Sequence, residues 1–104
     1  MIIYAFTKNN CAPCATVKPA VDQIRADAQA LGISVHHVNI DEQDATALLA
    51  TYDIRSVPAL VIAEDNGTAR DILRGLTITL ANVRRSIAVE RMFDAATNHG
   101  DPVA

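Results

Sequence analysis

Ile2-Ile3-Tyr4-Ala5-Phe6-Thr7-Lys8-Asn9-Asn10-Cys11-Ala12-Pro13-Cys14 sets a short apolar run, a polar break and a Cys-X-X-Cys segment in direct succession. The run from Ile2 to Phe6 is nearly continuous and rich in β-forming side chains, which reads as a strand buried on both faces. Lys8, Asn9 and Asn10 break it and lead into Cys11. Beyond Cys14, residues Val17, Val21, Ile24, Ala28 and Leu31 recur at steps of four, three, four and three. That spacing lays one apolar stripe along a helix. Gly32 follows directly and suits a left-handed C-terminal cap. Pro19, inside the helix, removes one backbone N–H and is expected to kink the axis. The cysteines thus fall where a strand ends and a helix begins.

Working outward, Ile33 to Ile40 reads as a second strand with Val35 and Val38 on opposite faces. A strand–helix–strand order of this length favours a right-handed crossover and parallel pairing. Asp41 to Asp44 suits a helix start, where carboxylates meet the positive end of the dipole, and a short helix runs through Leu48 and Leu49 to Tyr52. Val57 to Ala63 is a dense apolar strand. Asp65-Asn66-Gly67 signals a hairpin, because Asn and Gly tolerate positive φ. The return strand, Thr68 to Arg74, is polar enough for a sheet edge, and Gly75 ends it. Thr77 or Thr79 caps a last helix carrying Leu80, Val83, Ile87 and then Met92 or Phe93. The order β-α-β-α-β-β-α gives an α/β fold: a four-stranded mixed sheet with helices on both faces. One domain is expected over residues 1–97, followed by a loose tail over 98–104.

Composition narrows the functional classes. The chain has 104 residues, half of them apolar and 20% charged, which suits one globular domain and excludes a disordered or collagen-like chain. Net charge is −3 and the nine Lys and Arg residues are scattered, so no basic stripe awaits nucleic acid. The longest apolar runs, Met1 to Phe6 and Ala59 to Ala63, fall far short of the roughly 20 residues of a membrane helix. A basic stretch ahead of the first apolar run is missing, so no secretory signal is expected and the expected location is the cytoplasm. A polar edge strand and small size lean towards a monomer. Two cysteines are too few for a secreted disulfide scaffold of this length.

At a helix N-terminus, free N–H groups and the dipole stabilise a thiolate, the nucleophile of disulfide exchange. Pro13 lies in the first turn, where its missing N–H costs nothing, and it stiffens the loop so that two sulfurs stay close. Cys11, the more exposed, would attack a disulfide; Cys14, one turn deeper, would resolve the mixed disulfide. A zinc site would need four ligands, and the other candidates are His36, His37 and His99. His36 and His37 are adjacent on a strand and point to opposite faces, and His99 sits in the expected tail, so no metal site is expected. Haem attachment would need His directly after Cys14, where this chain has Ala15.

Cys11-Ala12-Pro13-Cys14 with Pro19 resembles the thioredoxin signature Cys-Gly-Pro-Cys followed by a helix-kinking proline. The resemblance continues through Asn39-Ile40-Asp41, Tyr52-Asp53-Ile54-Arg55-Ser56-Val57-Pro58, Asn66-Gly67 and Gly75, and covers nearly the whole chain. The sequence begins at the strand that feeds the cysteines, without the N-terminal strand and helix of full thioredoxins, as in glutaredoxins and small thioredoxin-like redoxins. The resemblance implies a cis-proline at Pro58 facing the dithiol, with Val57 free to pair with an extended substrate segment; otherwise Pro58 simply starts a strand. It also implies that Gly75 lines the same groove, the alternative being an ordinary turn glycine. Arg74 beside it would steer acidic substrates or stand as a solvated charge.

The sequence departs from the family at four positions. Asn10 replaces the usual tryptophan before the first cysteine, and Ala12 replaces glycine. Ala5 stands where thioredoxins bury an acid under the dithiol, and His37 where a lysine often partners that acid. Both members of a charge pair have changed together. His37 is a candidate proton relay for Cys14, since imidazole titrates near neutrality; the alternative is a strand histidine with no catalytic part.

The resemblance implies a cytoplasmic thiol–disulfide oxidoreductase that reduces protein disulfides and needs no cofactor beyond its own Cys11–Cys14 disulfide. Its reducing equivalents would come from a thioredoxin reductase or glutathione, and its clients would include proteins such as ribonucleotide reductase. Three alternatives stand beside it: a glutaredoxin-like, glutathione-coupled reductase, which Ala12-Pro13 fits poorly for want of an aromatic; a redox-inactive binding module on the same fold; and metal delivery through the two thiols.

Overall fold

The computed structural model describes residues 1–88. Strand β1 spans Ile2–Thr7, helix α1 Ala12–Ala30, β2 Ser34–Asn39, α2 Thr46–Thr51, β3 Ala59–Ala63 and β4 Ala69–Arg74. A 3-10 turn covers Gly75–Thr77, and helix α3 starts at residue 80 and reaches 88 within the described part. Met92, Phe93, His99, the domain limit at 97 and the tail lie outside the described residues. The sheet order is β2-β1-β3-β4. β1 pairs parallel with β2 and antiparallel with β3, and β3 pairs antiparallel with β4. This is the four-stranded mixed α/β sheet that the sequence predicts.

Alternation along the central strands builds two cores. Ile3 and Ala5 of β1 with Leu60 and Ile62 of β3 face Val17, Val21, Ile24 and Ala28 of α1 and Val83 and Ile87 of α3. Phe6, Ala59, Val61 and Ala63 face the other way, towards Val38, Ala45, Tyr52 and Ile54, with Leu48 and Leu49 of α2 packed alongside. Every residue of β3 is buried. Full burial of each Leu, Ile or Val contributes about 1.5–3 kcal/mol, so β3 is the main apolar anchor of both layers. Tyr4, Phe6 and Tyr52 lie together on the α2 side, with ring centroids 5.9 to 6.3 Å apart along the chain of contacts.

Two local predictions differ in detail, and one open alternative is decided. Leu31 belongs to the predicted stripe but is 45% exposed, because α1 ends at Ala30 and the chain turns away. The buried residue at that end is Ile33, whose N–H donates to the Ala28 carbonyl while Gly32 N–H donates to Gln29. That is a Schellman closure with Gly32 at φ +76°. α2 begins at Thr46 rather than at the acidic run. Asp41 is committed elsewhere, accepting the Asn9 N–H at 2.9 Å, and only Asp44 serves the helix start, accepting the Thr46 N–H at 3.0 Å. Of the two candidate caps for α3, Thr79 is the one used: its hydroxyl accepts the Asn82 N–H at 3.1 Å. Thr77 instead bonds back to Arg74. α1 continues through Pro19, and the Val57–Pro58 peptide bond is cis.

Candidate active site

The site grows from the junction of β1 and α1. Asn10 takes φ +52°, in the left-handed region that Asn enters more easily than most side chains. Cys11 then occupies the N-cap of α1 in extended conformation, and its sulfur accepts the Cys14 N–H at 3.2 Å. A cap of this kind places the sulfur against the free N–H groups and the positive end of the helix dipole. Cys11 is joined to Cys14 by a disulfide, with Cα atoms 5.2 Å apart. Cys11 is partly exposed and Cys14 buried, the order of exposure that the sequence predicts. Ala12 and Pro13 form the exposed first turn of α1.

The loop before Cys11 is tied down from β2. Asn39 Nδ2 donates to Asn9 Oδ1 at 3.0 Å, the Asn39 side chain accepts the Asp41 N–H at 3.0 Å, and Asp41 holds the Asn9 backbone. The sequence read Asn9 only as part of the break before Cys11, and Asn39 and Asp41 only as part of the family resemblance and of a helix start, not as ties on this loop. Their signal is a polar pair, Asn39 and Asp41, where strand β2 ends.

One cavity of about 470 Å³ opens beside the disulfide. Asn10, Cys11, Cys14 and His37 all line it, so the structure gathers four of the predicted site residues. His37 is the register partner of Ala5, and the adjacent His36 stacks on Tyr4 on the opposite face, ring centroids 5.6 Å apart. His37 Nε2 and Thr7 Oγ1 are hydrogen-bonded at 2.7 Å. Lys18, Asp22 and Arg25 also line the cavity. They sit four, eight and eleven positions after Cys14, a helix face that projection along α1 reveals and that the apolar stripe alone does not.

Val57, Pro58 and Gly75 stand apart from that cavity. Val57 lines a separate, smaller hollow with Ile40, Leu49 and Arg55, and Lys8 borders both. Pro58 and Gly75 are brought together by the Gly75 N–H, which donates to the Pro58 carbonyl at 3.1 Å. Gly75 takes φ +55°, a conformation in which a side chain is strained. Among the described residues, no three His, Cys, Asp or Glu side chains gather as a metal site, and no helix is long and apolar enough to cross a membrane.

The thioredoxin family model matches residues 1–85. The chain is 37% identical over 73 residues to thioredoxin 1 of Synechococcus elongatus, covering 69% of this chain and 65% of that protein. It is 38% identical over 52 residues to a thioredoxin of Pyropia yezoensis, covering 50% of this chain and 46% of that one. The chain therefore spans between about half and two thirds of these curated relatives. Among solved structures, a Fasciola hepatica thioredoxin superposes with a TM-score of 0.64 at 22% identity, over 84% of this chain and 77% of the other. A Malassezia sympodialis thioredoxin does so with a TM-score of 0.65 at 22% identity, over 84% and 71%. At that identity the structural likeness speaks for the fold, and the sequence match over most of the chain speaks for descent: the chain belongs to the thioredoxin family.

Proposed function

We propose that this protein is a cytoplasmic thiol–disulfide oxidoreductase that reduces protein disulfides through Cys11 and Cys14. The observation that carries the reading is the Cys11 sulfur at the N-cap of α1, accepting the Cys14 N–H and within bonding reach of Cys14. In the reduced protein, that position favours the Cys11 thiolate. It attacks a client disulfide, forming a Cys11–client bond and releasing one client sulfur as thiolate. Cys14 loses its proton and attacks Cys11, which restores the internal disulfide and frees the second client sulfur. Two electrons pass from the dithiol to the client. No cofactor enters the cycle.

His37 is the proton acceptor for Cys14 in this reading, directly or through water, positioned by its bond to Thr7. Val57, Pro58 and Gly75 hold the client, with Val57 offering backbone to an extended segment. Leu76, 77% exposed beside Gly75, gives that rim an apolar contact. A thioredoxin reductase or glutathione would restore the dithiol, and proteins such as ribonucleotide reductase are suitable clients. The cytoplasm fits a chain whose only two cysteines form the reactive pair, in a compartment that keeps such pairs reduced. The protein acts as a monomer.

The test is reduction of insulin disulfides with dithiothreitol as electron source. Wild type accelerates it, Cys11→Ser abolishes it, and Cys14→Ser accumulates a mixed disulfide at Cys11. A double serine variant that keeps the biological effect would instead mark a binding module.

A further inference from the structure

Lys8, Asn9 and Asn10 carry the chain from the end of β1 at Thr7 to the N-cap of α1 at Cys11. None of them lies in a helix or strand. Asn10 holds φ +52°, a left-handed conformation that an L side chain adopts at a cost. With the disulfide formed, the bond to Cys14 fixes the far end of this loop. Reduction breaks that bond. The place of the Cys11 sulfur at the helix N-terminus then rests on the Cys14 N–H and on the shape of the loop before it.

Asn9 is where the loop is held. Its N–H donates to Asp41 Oδ2 at 2.9 Å, the Asp41 N–H donates to Asn39 Oδ1 at 3.0 Å, and Asn39 Nδ2 donates to Asn9 Oδ1 at 3.0 Å. The bonds close a ring in which each residue donates once and accepts once. The bond to the carboxylate is charge-assisted, and hydrogen bonds in series polarise one another. The ring also stands on fixed backbone. Asn39 ends β2 beside Thr7, and the Ile40 N–H donates to the Thr7 carbonyl at 2.9 Å. The Asn39 carbonyl accepts the Glu42 and Gln43 N–H groups, each at 3.1 Å, so the turn from Asn39 to Asp41 keeps its shape without Asn9.

We propose that Asn39, acting through Asp41 and Asn9, is a positioning residue for the attacking thiolate. The ring holds the loop in its left-handed turn after reduction and so keeps the Cys11 sulfur against the free N–H groups of α1, where the thiolate is favoured. This rests on the dithiol reading and assigns the side chain, in another element, that keeps its attacking sulfur reactive. Asn39 is a cleaner probe than Asp41, because removing a carboxylate changes the field at a thiolate as well as the ring. Asn39 is neutral and contributes hydrogen bonds alone.

The experiment follows alkylation of Cys11 by iodoacetamide in the reduced full chain as a function of pH, since the thiolate is the reacting form. Asn39→Ala should move the midpoint of the profile to higher pH and slow alkylation at pH 7 by about fivefold, the scale of one hydrogen bond. Asn9→Ala removes an acceptor of the same ring from an exposed loop and should do likewise; it decides alone if Asn39→Ala does not fold. Glycine takes the left-handed conformation without the cost, so adding Asn10→Gly to either variant should restore most of the lost rate. A ring with a structural part only would lower the urea midpoint and leave the alkylation profile of wild type unchanged. That result in either single variant overturns the proposal, and so does a double variant no faster than its parent. Insulin reduction by the wild type, run in parallel, separates the two levels. A wild type that leaves insulin unreduced removes the dithiol reading, whereas the alkylation profiles alone decide on Asn39.

Discussion

Cys11 presents its sulfur where Ser, Thr or Asp oxygens cap most helices, and the Cys14 N–H donates to it at 3.2 Å. The same placement that ends the loop also favours the thiolate, so structure and reactivity share one atom. His37 tests how far the site departs from an acid-based relay, since Ala5, its register partner, carries no titratable group. His37→Ala should slow resolution of the mixed disulfide and change the pH–rate profile of insulin reduction. An unchanged profile with unchanged turnover would leave His37 as a strand residue bonded to Thr7. Cys11 and Cys14 were legible in the sequence because spacing alone puts them at a helix start, whereas His37 was reached through the family resemblance. The hydrogen bond of Asp41 was not legible, because its partner, the Asn9 backbone, lies in another element, across the β1–α1 loop.

Elements with a strong repeat were read correctly, and their ends less so. The stripe of α1 is regular, but the stripe does not say whether Leu31 or Ile33 closes it. The answer comes from the Schellman hydrogen bonds around Gly32, which bury Ile33 and expose Leu31. Gly32 sits at φ +76° with open space around it, so an added Cβ strains the backbone without a clash. Gly32→Ala should therefore lower stability by about 1 kcal/mol, seen as a lower urea midpoint with an unchanged slope. The acidic run misled for a different reason. Side-chain hydrogen bonds of Asn39 and Asp41 compete with helix formation, which delays α2 to Thr46. Tyr52 offers a second check at this scale, since its hydroxyl donates to the Gly67 carbonyl at 2.7 Å and fastens α2 to the hairpin. Tyr52→Phe should cost about 1 kcal/mol in the same measurement.

Across the whole molecule, the sheet order 2-1-3-4 depends on the antiparallel pairing of β1 with β3, which brings Ala5 opposite Leu60. Such a contact, remote in sequence, leaves no local periodicity, whereas the parallel β1–β2 unit and the β3–β4 hairpin do. The helices on one face are clamped to each other by Arg84, whose guanidinium donates to both oxygens of Asp27, at 2.8 and 3.2 Å. That hydrogen bonding holds the Asp27 carboxyl below its ordinary value of 3.8. A lowered folded value means that the clamp stabilises the protein above about pH 4 and is lost as pH falls through the folded value. The Thr46 N–H acts on Asp44 in the same sense. Urea midpoints should therefore drop on acidification below about pH 4, and Asp27→Asn should flatten part of that drop. Burial raises the Tyr52 phenol above 10.0, with Tyr4 adding to it, so its contribution is lost at the alkaline end as pH rises past the unfolded value.

The central claim, that Cys11 and Cys14 work as a reducing dithiol, is tested most directly by their equilibrium reduction potential, titrated against glutathione and dithiothreitol. A value near roughly −270 mV, or within about 40 mV of it, is the result this account predicts for a cytosolic reductant. A value above about −200 mV would contradict it and make the protein a thiol oxidant or a glutathione-coupled enzyme.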